Sequence, residues 1–169
     1  KSPAIFDKDK LTHFNALYIR AMNPEDFARV AEPYIRQSVH SASYDLSAIA
    51  ALVQARCEKL TDIPEKVDFF DALPDYDASL FTNKKAKTNA DVALTMLTAA
   101  IPALEGLPSW TSESIHGCLT ALAEHLGVKN ATLMWPVRIA ASGKAVTPGG
   151  AVEICYILGR EETLLRLRL

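Results

Sequence analysis

Apolar residues return every three or four positions along most of the chain, the spacing of an α-helix that buries one face. In "NPEDFARVAEPYIRQ", Asn23 reads as an N-cap, Pro24 as the first helical residue, and acids fill the first turn. Phe27, Val30, Ala31 and Tyr34 then share a face. Pro33 has no N–H to give residue 29 and is expected to kink or shorten this helix. In "SYDLSAIAALVQARCEKL", Leu46, Ile49, Ala50, Val53, Cys57 and Leu60 keep helical spacing, with Arg56 at the margin of the stripe. "DIPEKVDFFDALP" predicts a short helix with Pro64 near its start and a stop before Pro74.

The second half continues the pattern. "NADVALTMLTAAIPAL" predicts a longer helix with Leu94, Leu97 and Ile101 inward and Pro102 in its last turn or at a kink. In "SWTSESIHGCLTALAEHLGVK", Thr111 suits an N-cap, Ile115, Cys118, Leu119, Leu122 and Leu126 form the stripe, and Gly127 suits the residue past the end. "VEICYILGREETLLRLRL" reads as a helix to Leu158, a break at Gly159 and a last short helix. "ICYIL" alone also fits a strand, and the helical surroundings decide against it. No repeat or low-complexity segment interrupts the chain. The fold class is all-α, as two stacked helical subdomains, 1–74 and 75–169, divided in the Pro- and Asp-rich stretch around Leu73 to Asp77.

Composition narrows the function classes. An apolar share of 49% and a charged share of 22% are those of a globular chain with a real core. No apolar run nears the roughly 18 residues of a membrane span, and "KSPAIFDKDKL" is too polar for a signal peptide. A start on Lys1 reads as a fragment or processed form. Cys57, Cys118 and Cys155 are odd in number and lack zinc-ligand spacing, the pattern of free thiols in a reducing cytoplasm. Net charge is −2, but it is unevenly spread. From Thr61 to Leu80 there are six acids and one base; from His125 to Leu169 there are six bases and three acids, and "NKKAK" (83–87) adds a basic cluster. That asymmetry permits one basic surface on a chain of slightly negative net charge.

The chemistry of an enzyme is missing. His13, His40, His116 and His125 are scattered, and neither GxxxxGK[ST], GxGxxG nor HExxH occurs. No catalytic residue and no metal ligand set is assigned.

The run "MWPVRIAASGKAVTPGG…VEICYILGREETLLRL" resembles the C-terminal anticodon-binding region of bacterial-type glutamyl-tRNA synthetases. That family carries W-P-[LV]-R-x-A-x-[ST]-G, then a Thr/Ser-Pro-Gly turn, then L-G-[KR]-E-x-x-L-x-R-L. "KSPAIFDKDKLTHFNALYIR" is similar to the family's S-x-A-x-F-D-x-x-K-L-x-x-x-N-x-x-Y-I junction, which follows its stem-contacting domain. "SWTSESIHGCLTALAEHLGVK" is similar to its W-[TS]-x-E-x-[IL] helix. The matches run in order from residue 2 to residue 166.

The resemblance implies anticodon reading and tRNA binding within a glutamate–tRNA ligase. It also implies that ATP, Mg and the catalytic chemistry belong to an upstream domain whose HIGH-like and KMSKS-like motifs these residues lack. Arg56 matches the family's contact to the third anticodon base and Arg138 its contact to the first. Thr147, Pro148, Gly149 and Gly150 match the segment around the middle base. Some members carry leucine where this chain has Gly150, so an apolar base contact is either lost or supplied by Ala151.

Those residue types suit the task. Single-stranded RNA splays its bases to be read at their edges, and arginine offers a planar fork of donors. Gly in "TPGG" lets backbone groups approach a base. Lys129, Lys144, Arg160 and Arg166 are candidate phosphate contacts, which position RNA without reading it. The implied partners are the glutamate tRNA and the upstream domain, with no membrane. The alternative is a helical protein-interaction module, with the acids from Asp62 to Asp77 as its surface.

Overall fold

The computed structural model describes residues 7–169, so Ser2, Ala4 and Phe6 of the junction motif lie outside the described residues. The described elements are helical apart from one isolated bridge between Asn83 and Thr88. The chain divides by contacts into two units, Lys1–Asp68 and Phe69–Leu169.

The first unit holds α1 (Lys8–Ala21), α2 (Pro24–Ile35), α3 (Leu46–Gln54) and α4 (Ile63–Val67). The Asp7 carboxylate accepts from the N–H groups of Asp9 and Lys10, and the Asn23 carbonyl oxygen of its side chain accepts from Glu25 N–H. The face that α2 buries is Phe27, Ala31 and Ile35, while Val30 is exposed and Tyr34 half-buried. A strict i, i+4, i+8 row has replaced the broader stripe expected, and α2 ends two residues after Pro33. Helix α3 is shorter than its apolar spacing predicts. It stops at Gln54, whose side-chain amide donates to the carbonyls of Ile19 in α1 and of Met22 at its C-cap. Arg20 Nε donates to Ala55 O at 3.1 Å, and Cys57 Sγ to Lys59 O. Arg20 thus occupies the Ala55 carbonyl that another turn of α3 would need. Cys57 is buried beyond the helix end, and Leu60 begins a 3₁₀ turn.

The second unit holds α5 (Ala90–Glu105), α6 (Ser112–His125), α7 (Asn130–Ser142), α8 (Ala151–Leu158) and α9 (Arg160–Arg168). Helix α7 packs against each of the other four. It buries Leu133, Pro136, Val137, Ile139, Ala140 and Ala141, which leaves little amphipathic period to read. Helix α5 turns inward on Ala93, Met96, Ala100 and Leu104; Leu94 is exposed, and Leu97 and Ile101 are half-buried. The small residues Ala93 and Ala100 allow close approach to neighbouring helices, so the large aliphatics do not mark the inward face. Helix α6 begins with the expected cap: Thr111 Oγ1 accepts from Ser114 N–H, and Ser114 Oγ accepts from Thr111 N–H. It ends at Gly127 with φ +68°. Gly159 (φ +82°) separates α8 from α9, so "ICYIL" is helical.

Arg166 is the structural centre of this unit. Only 1% of it is exposed, so the phosphate contact expected of it does not form. Its guanidinium donates to Phe69 O (2.7 Å), Phe70 O (3.1 Å) and Ala141 O (2.9 Å), and Nε pairs with Glu162 at 2.6 Å. A buried arginine is stable only when its donors are taken up like this. Gly143, at φ +63°, ends α7 two residues after Ala141. A Cβ there would sit 2.9 Å from both Pro74 Cγ and Tyr76 Cδ1.

Two stability outcomes follow, both readable by urea denaturation. Arg166→Met strands three carbonyls and the Glu162 charge, and is expected to cost about 3–5 kcal/mol; a loss under 1 kcal/mol would contradict the hub. Gly143→Ala carries a clash on top of the ~1–2 kcal/mol left-handed penalty, which Gly127→Ala, open around its Cβ, carries alone. Equal losses at the two glycines would show that Pro74 and Tyr76 yield freely.

Candidate nucleic-acid interface

Helix α7 positions the candidate site through side chains three residues apart on one face. Trp135 Nε1 donates to Leu80 O at 2.9 Å, which fixes the indole. The Arg138 guanidinium lies over that ring, 4.6 Å from its centroid, a cation–π contact that sets the plane of the fork. From there Arg138 donates to Lys144 O (3.3 Å), Ala145 O (2.8 Å) and Thr147 Oγ1 (2.8 Å). Thr147 Oγ1 in turn donates to Gly149 O at 2.6 Å. Ser142 Oγ donates to Arg138 O and accepts from Lys144 N–H, closing the start of the turn.

The structure therefore brings Arg138, Lys144, Thr147 and Gly149 together with Trp135. The donors of Arg138 are directed at the loop that follows α7. The side chains of Thr147 and Pro148 are buried; Gly149, Gly150 and Lys144 are half-buried. Ala145 and Val146 form the outward tip, with Val146 81% exposed. Sequence reading missed both Val146 and the positioning role of Trp135. The i, i+3 spacing of "WPVR" was the available signal for the second. Ala151, at the start of α8, is 4% exposed and offers little surface for the apolar base contact expected to be either lost or supplied by it. Gly150 and Ala151 both line a cleft of about 650 Å³ with Ser112, His116, Met134 and Val152, and Glu113 and Glu153 stand at its walls. A Cβ at Gly150 would meet only the flexible Glu153 Oε2, at 3.1 Å.

The remaining candidates stand apart from this group. Lys129 is exposed at the N-cap of α7. Arg160 is half-buried, its guanidinium 5.6 Å from the centroid of the Trp110 ring, and Trp110 Nε1 donates to Cys155 O. Both tryptophans therefore lock a carbonyl with the indole N–H and carry an arginine on the ring face. Arg56 belongs to the first unit. It lies in the turn after α3, its N–H bonded to Val53 O, and its side chain is exposed with no hydrogen bond or ion pair among the described residues. Its five guanidinium N–H donors face solvent. Burial raises the Cys57 and Cys118 thiols above their ordinary range and pushes Cys155 up to about 12, so the thiolate is scarce at neutral pH. Among the described residues, no group of three or more His, Cys, Asp or Glu is placed to hold a metal ion.

Comparison with known proteins meets this geometry. A family model described as "Anticodon binding domain" matches residues 26–169. The chain is 47% identical over 169 residues to a glutamate–tRNA ligase of Clostridium tetani, covering all of this chain and 34% of that protein. It is 44% identical to a glutamate–tRNA ligase of Lachnoclostridium phytofermentans, with the same coverage. The crystal structure of a glutamate tRNA ligase from Elizabethkingia meningosepticum, in complex with its amino acid, shares the fold. Its TM-score is 0.78 at 23% identity, over 96% of this chain and 32% of that one. This chain spans about a third of the length of the curated relatives it matches. With the family model covering most of its length and the fold in agreement, the chain belongs to the anticodon binding domain family.

Proposed function

We propose that this chain reads the anticodon of the glutamate tRNA as the C-terminal part of a cytoplasmic glutamate–tRNA ligase. The observation that carries the reading is the loop from Gly143 to Gly150. It is rigidly held by Arg138, exposes its tip and backbone, and borders a cleft open beside Gly150. Arg56 reads a base edge directly, because its donors are unspent. Arg138 acts chiefly by holding the loop, whose backbone groups and Gly149–Gly150 face the bases. Lys129, Lys144 and Arg160 contribute charge near phosphates. A base that fails to meet these donors leaves them desolvated and unpaired, at about 1–3 kcal/mol per group. ATP, Mg and the attachment of glutamate belong, on this reading, to the remaining two thirds of the longer polypeptide.

One observation favours a protein contact as well. Leu11, Phe14, Leu17 and Tyr18 on α1 are 46–69% exposed and form an apolar face. That face suits contact with the rest of the same polypeptide. Among the described residues no helix is long and apolar enough to cross a membrane.

Titration with a glutamate-tRNA anticodon stem-loop, and with one altered only in the three anticodon bases, tests the reading. The glutamate loop is expected to bind more tightly. Arg56→Ala should reduce that preference roughly 10- to 100-fold. Arg138→Lys should also reduce it, because a lysine keeps the charge and loses the fork. Equal affinity of the unaltered chain for the two loops would overturn base reading.

A further inference from the structure

The loop Asn83–Thr88 carries Lys84, Lys85 and Lys87, and no acid lies between Thr82 and Ala90. It is built as a rigid turn. Asn83 and Thr88 exchange backbone hydrogen bonds at 3.0 Å, and the Asn83 side-chain oxygen accepts from Ala86 N–H. Thr88 Oγ1 donates to Phe81 O at 2.7 Å. Ala86 is buried, and its carbonyl accepts from Thr132 Oγ1 at 2.7 Å in the first turn of α7. All three lysines are exposed, and none forms a hydrogen bond or ion pair through its ammonium group among the described residues. Lys87 holds φ +55°, a left-handed position that glycine occupies at lower cost. A lysine is thus held where local conformation disfavours it.

Thr132, Trp135 and Arg138 follow one another along α7 at i, i+3 and i+6, a row that winds about 120° round the helix. One helix therefore anchors the lysine loop near its start and the Gly143–Gly150 loop at its end. Thr132 and Arg138 are separated by about 9 Å along the axis. Lys129, exposed at the N-cap, adds a fourth cation beside the anchor.

We propose that the Asn83–Thr88 loop is a docking surface for the phosphate backbone of the RNA strand whose bases are read at the other end of α7. This rests on the reading given under Proposed function. Phosphate contacts need fixed charge and no apolar core, and the loop's one apolar side chain, Ala86, is buried. A protein interface would be centred on desolvated apolar side chains, which the loop does not offer. The lysines steer and position the strand without distinguishing bases.

The test measures binding of the same two stem-loops across a salt series, for the unaltered chain, for K84Q/K85Q/K87Q and for K87G, with circular dichroism confirming the fold. The triple variant is expected to bind both loops roughly tenfold more weakly at about 50 mM salt, with a slope of log affinity on log salt reduced by about 2 and the preference between loops unchanged. K87G should lower the slope by about 0.7 and, by relieving the left-handed strain, leave the unfolding midpoint equal or higher. An unchanged slope in the triple variant overturns the proposal while base reading stands. A collapse of preference at unchanged slope overturns it too, assigning the loop to base recognition. Retained RNA affinity with lost binding of a polyglutamate probe would make it a protein surface. Equal binding of both loops by the unaltered chain, with the slope still falling in the triple variant, would sink the base-reading account and keep the phosphate surface.

Discussion

The second unit depends on one buried guanidinium. Arg166 gathers the carbonyls of Phe69 and Phe70, at the start of the unit's sequence, and of Ala141 in α7, and joins them to α9. The same contact fixes the last turn of α7 at Ala141. Gly143 turns the chain there, where no Cβ fits against Pro74 and Tyr76. The loop that follows is then set by Arg138. A buried charge with full satisfaction therefore stands one turn away from a half-buried one that shapes the site. Arg166 is the costlier of the two to alter, since the carbonyls it would abandon lie away from water, whereas Arg138 also bonds the exposed Ala145.

Arginine takes two roles on this chain, and its neighbours decide which. Arg138 and Arg160 each lie on a tryptophan whose indole N–H is itself committed to a carbonyl. Such an arginine is oriented before any ligand arrives, and ordering it costs little on binding. Arg56 has no such support among the described residues and stands at a helix end already closed by Gln54 and Arg20. An arginine so placed becomes ordered only on meeting a partner, which costs more than using one already held.

Much of this was legible in the sequence. Asn23, Thr111, Gly127 and Gly159 mark helix ends by local chemistry, and the structure uses all four as such. Tertiary contacts hid the rest. Arg166 sits in a run of Arg, Glu and Leu that reads as an exposed helix, and only packing shows that its donors point inward. Helix α7 is buried on most sides, so no polar face outlines it. Ala93 and Ala100, not Leu94, face inward on α5 because small side chains admit a neighbouring helix. The motif "WPVR…TPGG" marks residues that the structure brings together, but its spacing does not reveal that Arg138 holds the loop in place.

Photo-crosslinking from 4-thiouridine placed singly at each anticodon position of the stem-loop, followed by mapping of the attached peptides, tests the central claim most directly. Attachment is expected within Lys144–Gly150 and at the turn around Arg56, with little elsewhere. Cross-links confined to the acidic stretch from Asp62 to Asp77, or to the apolar face of α1, would contradict it.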